Sequence, residues 1–133
     1  MEPVVVVFAG EYNLGSKGKL HRELSRLATK PRLVLDFSEV TYMDSTCIAE
    51  LMRMEQRRSA AGFDAAHVVM QAPVLLRIFT VLTLDRVFRV VSTLAQAIDA
   101  DLEGLHVEYA FCGDDGTAKV PVDFERERLA ATG

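Results

Sequence analysis

Tryptophan is absent from this chain of 133 residues, and cysteine occurs only twice. Cys47 and Cys112 are too few and too far apart to build a disulfide framework or a zinc site, so both are expected as free thiols. His21, His67 and His106 stand in three separate segments without HExxH or a repeated His/Cys spacing. No metal and no cofactor is therefore expected. Glycine and proline are scarce, at eight and four residues, which excludes collagen-like and low-complexity chains. Positive charge is not in excess, since 15 Lys and Arg face 19 Asp and Glu for a net charge of -4. Without a dense basic cluster to neutralise phosphates, nucleic acid is not an expected partner. No apolar run approaches the ~18 residues that a membrane helix needs. The opening MEPVVVVFAG lacks the basic region of a signal peptide, so a cytoplasmic location without membrane insertion is expected.

What is present is an alternation of two periods. Val4 to Phe8 is a continuous β-branched and aromatic run closed by Gly10, which reads as a strand buried on both faces. Leu20, Leu24, Leu27 and Ala28 then recur at helical spacing, and this helix must stop before Pro31. Leu33 to Phe37 predicts a second strand, followed by SEVTYMD as a loop. Ser45 or Asp44 opens a helix over 46–61 that turns Ile48, Leu51, Met52 and Met54 inward and Glu50, Arg53, Glu55, Arg57 and Arg58 largely outward, with Gly62 as its stop. His67 to Met70 predicts a third strand. Pro73 starts a helix whose apolar stripe is Val74, Leu75, Ile78 and Leu82. Arg89 to Val91 predicts a fourth strand, and Ser92 or Thr93 caps a last helix bearing Leu94, Ile98 and Leu102 and closed by Gly104.

Strands separated by helices need right-handed crossovers, so the fold expected is α/β with a mainly parallel (mixed) sheet and packed helices. The residues beyond Gly104 differ. Leu105, Val107, Tyr109 and Phe111 alternate with His106, Glu108 and Ala110, and turn chemistry follows at CGDDGT. These predict a C-terminal β-hairpin over 105–124, with Pro121 confined to an edge, and a solvated tail. The division expected is a domain over 1–104 and a C-terminal extension over 105–133.

The segment LVLDFSEVTYMDSTCIAEL places Asp44-Ser45-Thr46 at a helix start behind a buried strand. It resembles the STAS domain family of the anti-sigma factor antagonist type, where a strand ending in a D-x-S/T-x-V loop leads to D-S-S/T-G-L at a helix start. Gly10-Glu11-Tyr12-Asn13 is similar to the family's G-E-L-D turn. Leu84 to Phe88 is similar to its L-D-x-x-F, and Thr93 to Ile98 to its last helix. The resemblance spans residues 4 to 103. It implies a STAS-like fold and a protein that is a substrate, not an enzyme. A partner anti-sigma factor or serine-protein kinase would phosphorylate Ser45, a phosphatase would reverse this, and only the unmodified form would bind the anti-sigma factor.

Thr46 is the secondary acceptor. Asp44 could orient the Ser45 hydroxyl or bond the first helical N–H groups, and Ser45 could be an ordinary N-cap. The partner-binding residues expected are Glu11, Asn13, Asp44, Ser45, Thr46, Cys47 and Glu50, where the turn after the first strand and the helix after the second converge at the carboxyl ends of adjacent strands. Three departures stand out. Asn13 replaces an acidic residue, and Cys47 replaces a glycine and adds a side chain where a kinase must approach. The strand that the family places ahead of the first long one has no counterpart before Val4. The exposed edge so left is expected to be covered by LHVEYAF, within the chain or across a homodimer, with Tyr109 and Phe111 packed.

Other readings fit less well. No G-x-S-x-G elbow accompanies Ser45 and no histidine is placed to act as its base. Gly15-Ser16-Lys17-Gly18 lacks the spacing of a phosphate loop, and Gly113-Asp114-Asp115-Gly116 has too few acids for a calcium loop. The alternative function is a STAS-like interaction module without a phosphorylation cycle, in a transporter-associated or lipid-trafficking complex.

Overall fold

The computed structural model describes residues 3–98 and 106–113, leaving out the side chain of Cys112. Strand β1 (Val4–Tyr12) leads through a short 3-10 turn (Leu14–Ser16) into α1 (Lys17–Leu27). Strand β2 (Leu33–Met43) is followed by α2 (Ser45–Ala60), β3 (His67–Val69) and α3 (Pro73–Val81). A second 3-10 turn (Leu84–Arg86) precedes β4 (Arg89–Val91), α4 (Leu94–Ala97) and β5 (His106–Cys112). The strands form one sheet in the order β4-β3-β2-β1-β5. All four pairings are parallel, so among the described residues the sheet is not mixed.

Helices α1, α2 and α3 pack on one face. Leu20, Leu24, Leu27, Leu51, Met54, Leu75 and Phe79 meet Val6, Phe8, Leu35 and Phe37 there, each side chain contributing roughly 1.5–3 kcal/mol by leaving water. The other face carries a smaller cluster in which Leu94, Ala97 and Ile98 cover Val5, Val34 and Val69.

Several expectations are corrected. SEVTYM is strand rather than loop, because β2 continues to Met43 through two register shifts against β1. Ser38 supports the first: its N–H and its hydroxyl both donate to Asp36 Oδ1, at 3.0 and 2.7 Å. Gly10 serves the second with φ +86°, a conformation that a side chain disfavours. In α2, Glu50, Glu55 and Arg58 are buried, not outward. Arg58 is fully enclosed. Its guanidinium donates to the carbonyls of Lys30, Pro31 and Asp64 and to Glu55 Oε1, while Glu55 Oε2 accepts from the Ala66 N–H. In α3 the buried face is Leu75 and Phe79, leaving Val74 and Leu82 exposed, because Phe79 turns inward against Phe88, the two rings tilted with centroids 6.1 Å apart. Thr93 caps α4 through a capping box with Gln96, but the helix ends by Ile98, whose backbone is extended while its side chain joins the smaller cluster. Leu102 and Gly104 lie outside the described residues.

Strand β5 pairs with β1 within the same chain and occupies its outer edge. One extra residue in β5, between the pairs Val7↔Tyr109 and Ala9↔Cys112, breaks the expected alternation. Phe111 consequently joins Ala110 against the main core. The Tyr12 hydroxyl donates to the Phe111 carbonyl at 2.6 Å, and the two rings meet edge to face at 5.4 Å. At Gly113 a Cβ would lie 2.1 Å from the Glu11 carbonyl oxygen, so only glycine allows this approach. The returning strand expected before residue 124, with Pro121, and the tail lie outside the described residues.

Candidate functional site

The carboxyl ends of β1 and β2 are neighbours, pairing Glu11 with Tyr42 and Tyr12 with Met43. The chain leaves both strands at this point. The Asp44 N–H donates to the Tyr12 carbonyl at 3.0 Å, which fixes the start of α2 against the turn that follows β1.

Asn13 organises that turn. Its side-chain oxygen accepts from the Gly15 N–H at 2.9 Å, and its own N–H donates to Ser16 Oγ at 2.9 Å. Its amide nitrogen donates to Glu11 Oε2 at 3.2 Å, a bond that an aspartate could not make and would oppose by repulsion. Asparagine at this position therefore suits the neighbouring Glu11.

Asp44, not Ser45, is the N-cap of α2. Its Oδ1 accepts from the Cys47 N–H at 3.0 Å and from the Thr46 hydroxyl at 2.6 Å. Burial pushes this carboxyl up, but the bonds from Thr46 and Cys47 outweigh it and hold Asp44 below the usual carboxylate range. Of the two roles open to Asp44, the structure shows the bonding of helical N–H groups. Ser45 occupies the first helical position, exposed, and among the described residues its hydroxyl has no hydrogen-bond partner. Thr46 is only half exposed and its hydroxyl is engaged.

Cys47 points away from the surface. It is fully buried, its thiol donates to the Asn13 carbonyl at 3.3 Å, and burial, then the charge of Asp44, push the thiol up to about 11. The expected obstruction to an approaching kinase is corrected by this inward placement. Glu50 likewise sits behind the surface, 5% exposed, bonded to His21 Nδ1 at 2.7 Å and to Arg53 at 2.5 Å. The bond from His21 is the main reason that its carboxyl lies below the usual range. The structure thus brings Glu11, Asn13, Asp44, Ser45 and Thr46 to one edge and sets Cys47 and Glu50 beneath it.

The residues missed are apolar. Leu14 is 68% and Tyr42 is 42% exposed beside this edge. Tyr42 was detectable in principle, since once TYM is read as strand its alternation with Met43 turns the ring outward. Among the described residues no group of three His, Cys, Asp or Glu could hold a metal, and no helix is long and apolar enough to cross a membrane.

The five-stranded parallel sheet with helices packed on both faces defines an α/β protein. The sequence profile described as Mlab, STAS domain, matches residues 1–96, and the chain belongs to the STAS domain family. Strand β5 lies beyond the matched residues. Among solved structures, a Thermotoga maritima protein assigned as an anti-sigma factor antagonist superposes with a TM-score of 0.61 at 18% identity, over 70% of this chain and 85% of that one. An anti-sigma factor antagonist from Mycobacterium paratuberculosis gives 0.61 at 24% identity, over 69% and 81%. The anti-sigma factor antagonist SpoIIAA in its unphosphorylated form gives 0.50 at 15%, over 65% and 91%. These likenesses establish the α/β STAS fold. No curated protein matches the chain in sequence.

Proposed function

We propose that this STAS domain is an anti-sigma factor antagonist of a partner-switching pathway, a protein-binding part and not an enzyme. The observation that carries the reading is the exposed, unbonded hydroxyl of Ser45 at the first turn of α2, next to an aspartate that caps the helix in its place. A kinase reaches Ser45 without breaking an internal hydrogen bond, whereas Thr46 would have to surrender its bond to Asp44. A phosphate adds about -1.5 to -2 charge beside Asp44, and a unit pair at about 6 Å repels by roughly 3 kcal/mol at an effective dielectric of 20. Modification therefore changes the partner-facing edge without requiring a change of fold. Glu11, Asn13, Asp44 and Thr46 flank the acceptor. Cys47 and Glu50 act from beneath, as supports of α2. A phosphatase completes the cycle, and the fold needs no cofactor for this role.

The experiment is incubation with candidate serine kinases and ATP, read by intact mass and site mapping. Wild type should gain one phosphate and Ser45→Ala none, and Ser45→Ala should bind the anti-sigma factor constitutively. Phosphate retained by Ser45→Ala would move the site to Thr46. A second reading, a fixed module of a transporter-associated or lipid-trafficking complex, is favoured by Asn13, which carries no charge where antagonists of this type carry an acid. Absence of phosphate from every kinase, with a complex formed equally by Ser45→Ala and Ser45→Asp, would establish that reading instead.

A further inference from the structure

Helices α1 and α2 together hold seven Lys and Arg against three Glu, a charge of +4 in a chain of -4. The concentration is invisible in sequence order because the two helices are separated by β2. Part of this charge is used internally, as Arg58 pairs with Glu55, Arg53 with Glu50, and Arg26 with Glu23 and Glu108. Arg22 and Arg57 have no acidic partner among the described residues, and Arg57 lines the groove between the helices. Between the helices runs a groove of about 260 Å³ with Leu24 and Met54 at its floor and His21, Arg53 and Arg57 along its rim. The one carboxylate lining it, Glu50, is already held by His21 and Arg53.

We propose that this groove is a second interaction surface, distinct from the Ser45 edge, and that it takes an acidic segment of a partner protein that seats an apolar side chain between Leu24 and Met54. Charge complementarity selects an anionic occupant, and the concave apolar floor selects polypeptide among anions. An anionic bilayer is the poorer match, because α1 and α2 carry none of the exposed large apolar residues that would insert into lipid. Nucleic acid is poorer too. Neither helix carries a Phe, Tyr or Trp on which a base could stack, and the imidazole of His21 is held by Glu50.

The test titrates isotope-labelled full-length protein, followed by amide chemical shifts, with four probes. These are a short synthetic peptide of Asp and Glu around a central Leu pair, its Lys-substituted counterpart, phosphatidylglycerol/phosphatidylcholine vesicles, and single-stranded DNA. The acidic peptide should shift residues 21–25 and 53–57 saturably, weaken with salt, and bind Arg57→Glu about tenfold less well. The Lys peptide should not bind. Shifts confined to other surfaces, equal affinity for Arg57→Glu, or tighter binding of vesicles or DNA at these helices would overturn the proposal. Arg57→Gln, which removes the charge without reversing it, should show an intermediate loss and serves if the reversal impairs folding. None of these outcomes depends on phosphorylation of Ser45.

Discussion

At the amino ends of the strands, the Arg58 guanidinium is fully enclosed and ties the end of α2 to the Lys30–Pro31 turn, to Asp64 and, through Glu55, to the entry of β3. At the carboxyl ends, Asp44 and Asn13 bond backbone groups of their own turns, and Ser45, Leu14 and Tyr42 face solvent. The same sheet thus has one end where a buried ion pair is saturated by backbone groups, and one where long-range bonds, from the Asp44 N–H to the Tyr12 carbonyl and from the Cys47 thiol to the Asn13 carbonyl, lie beneath exposed side chains that are left over. Long-range bonds report on stability, since breaking them releases whole elements. Exposed side chains above a tied helix start can change with little effect on the fold, because they make few internal bonds.

The largest effect should come from removing the strand that spans both ends. Deleting 105–133 takes away β5, uncovers the apolar edge of β1 and leaves the buried Tyr12 hydroxyl without its acceptor at Phe111. The shortened protein should aggregate or unfold. A soluble 1–104 with an unchanged melting temperature would show that β5 is dispensable and that β1 tolerates an open edge.

Next is Arg58→Ala, which strands Glu55 as a buried carboxylate and frees three carbonyls. Losing one member of a buried pair costs about 3–5 kcal/mol, measured by urea denaturation. A loss below about 1 kcal/mol would erase the contrast between the two ends.

Glu50 lies between the extremes. Its carboxyl is held below its ordinary value mainly by His21, so ionised Glu50 stabilises the fold above its unfolded value near 4.5, and this contribution disappears as pH falls through the lower folded value. Glu50→Gln should therefore be less stable than wild type at pH 7, by about 1–2 kcal/mol because His21 and Arg53 are half exposed, and the difference should vanish at strongly acid pH. Parallel pH profiles for the two proteins would refute the clamp.

Much of the frame was legible because apolar periodicity is a property of single elements. The spacing of Leu20, Leu24 and Leu27 and the run Val4 to Phe8 needed no partner to be read. What failed was whatever depended on a neighbour. The bulge at Asp36 and Ser38 hid the second half of β2, since it interrupts the alternation by which strands are recognised. Arg58 and Glu50 were assigned to solvent by charge alone. Arg58 nevertheless follows Leu51 and Met54 on one stripe at seven and four residues, so its buried position was written in spacing and overruled by chemistry. At the site, the meeting of Asn13 and Asp44 followed from parallel strands ending together. The choice of Asp44 over Ser45 as cap did not follow, because either residue type serves at that position.

That choice gives the smallest and most selective prediction. Asp44→Ala removes the acceptor of the Cys47 N–H and should cost about 1 kcal/mol, typical of a lost helix cap. Ser45→Ala removes a hydroxyl with no bond among the described residues, and alanine is a good helix former, so stability should stay within about 0.5 kcal/mol of wild type. Thermal and urea unfolding of the two variants side by side separates cap from acceptor. If Ser45→Ala were the more destabilised, the hydroxyl would be structural and the serine no longer free for modification. If Asp44→Ala alone suffers, the helix start stands on the aspartate and the serine beside it is available for the modification proposed above.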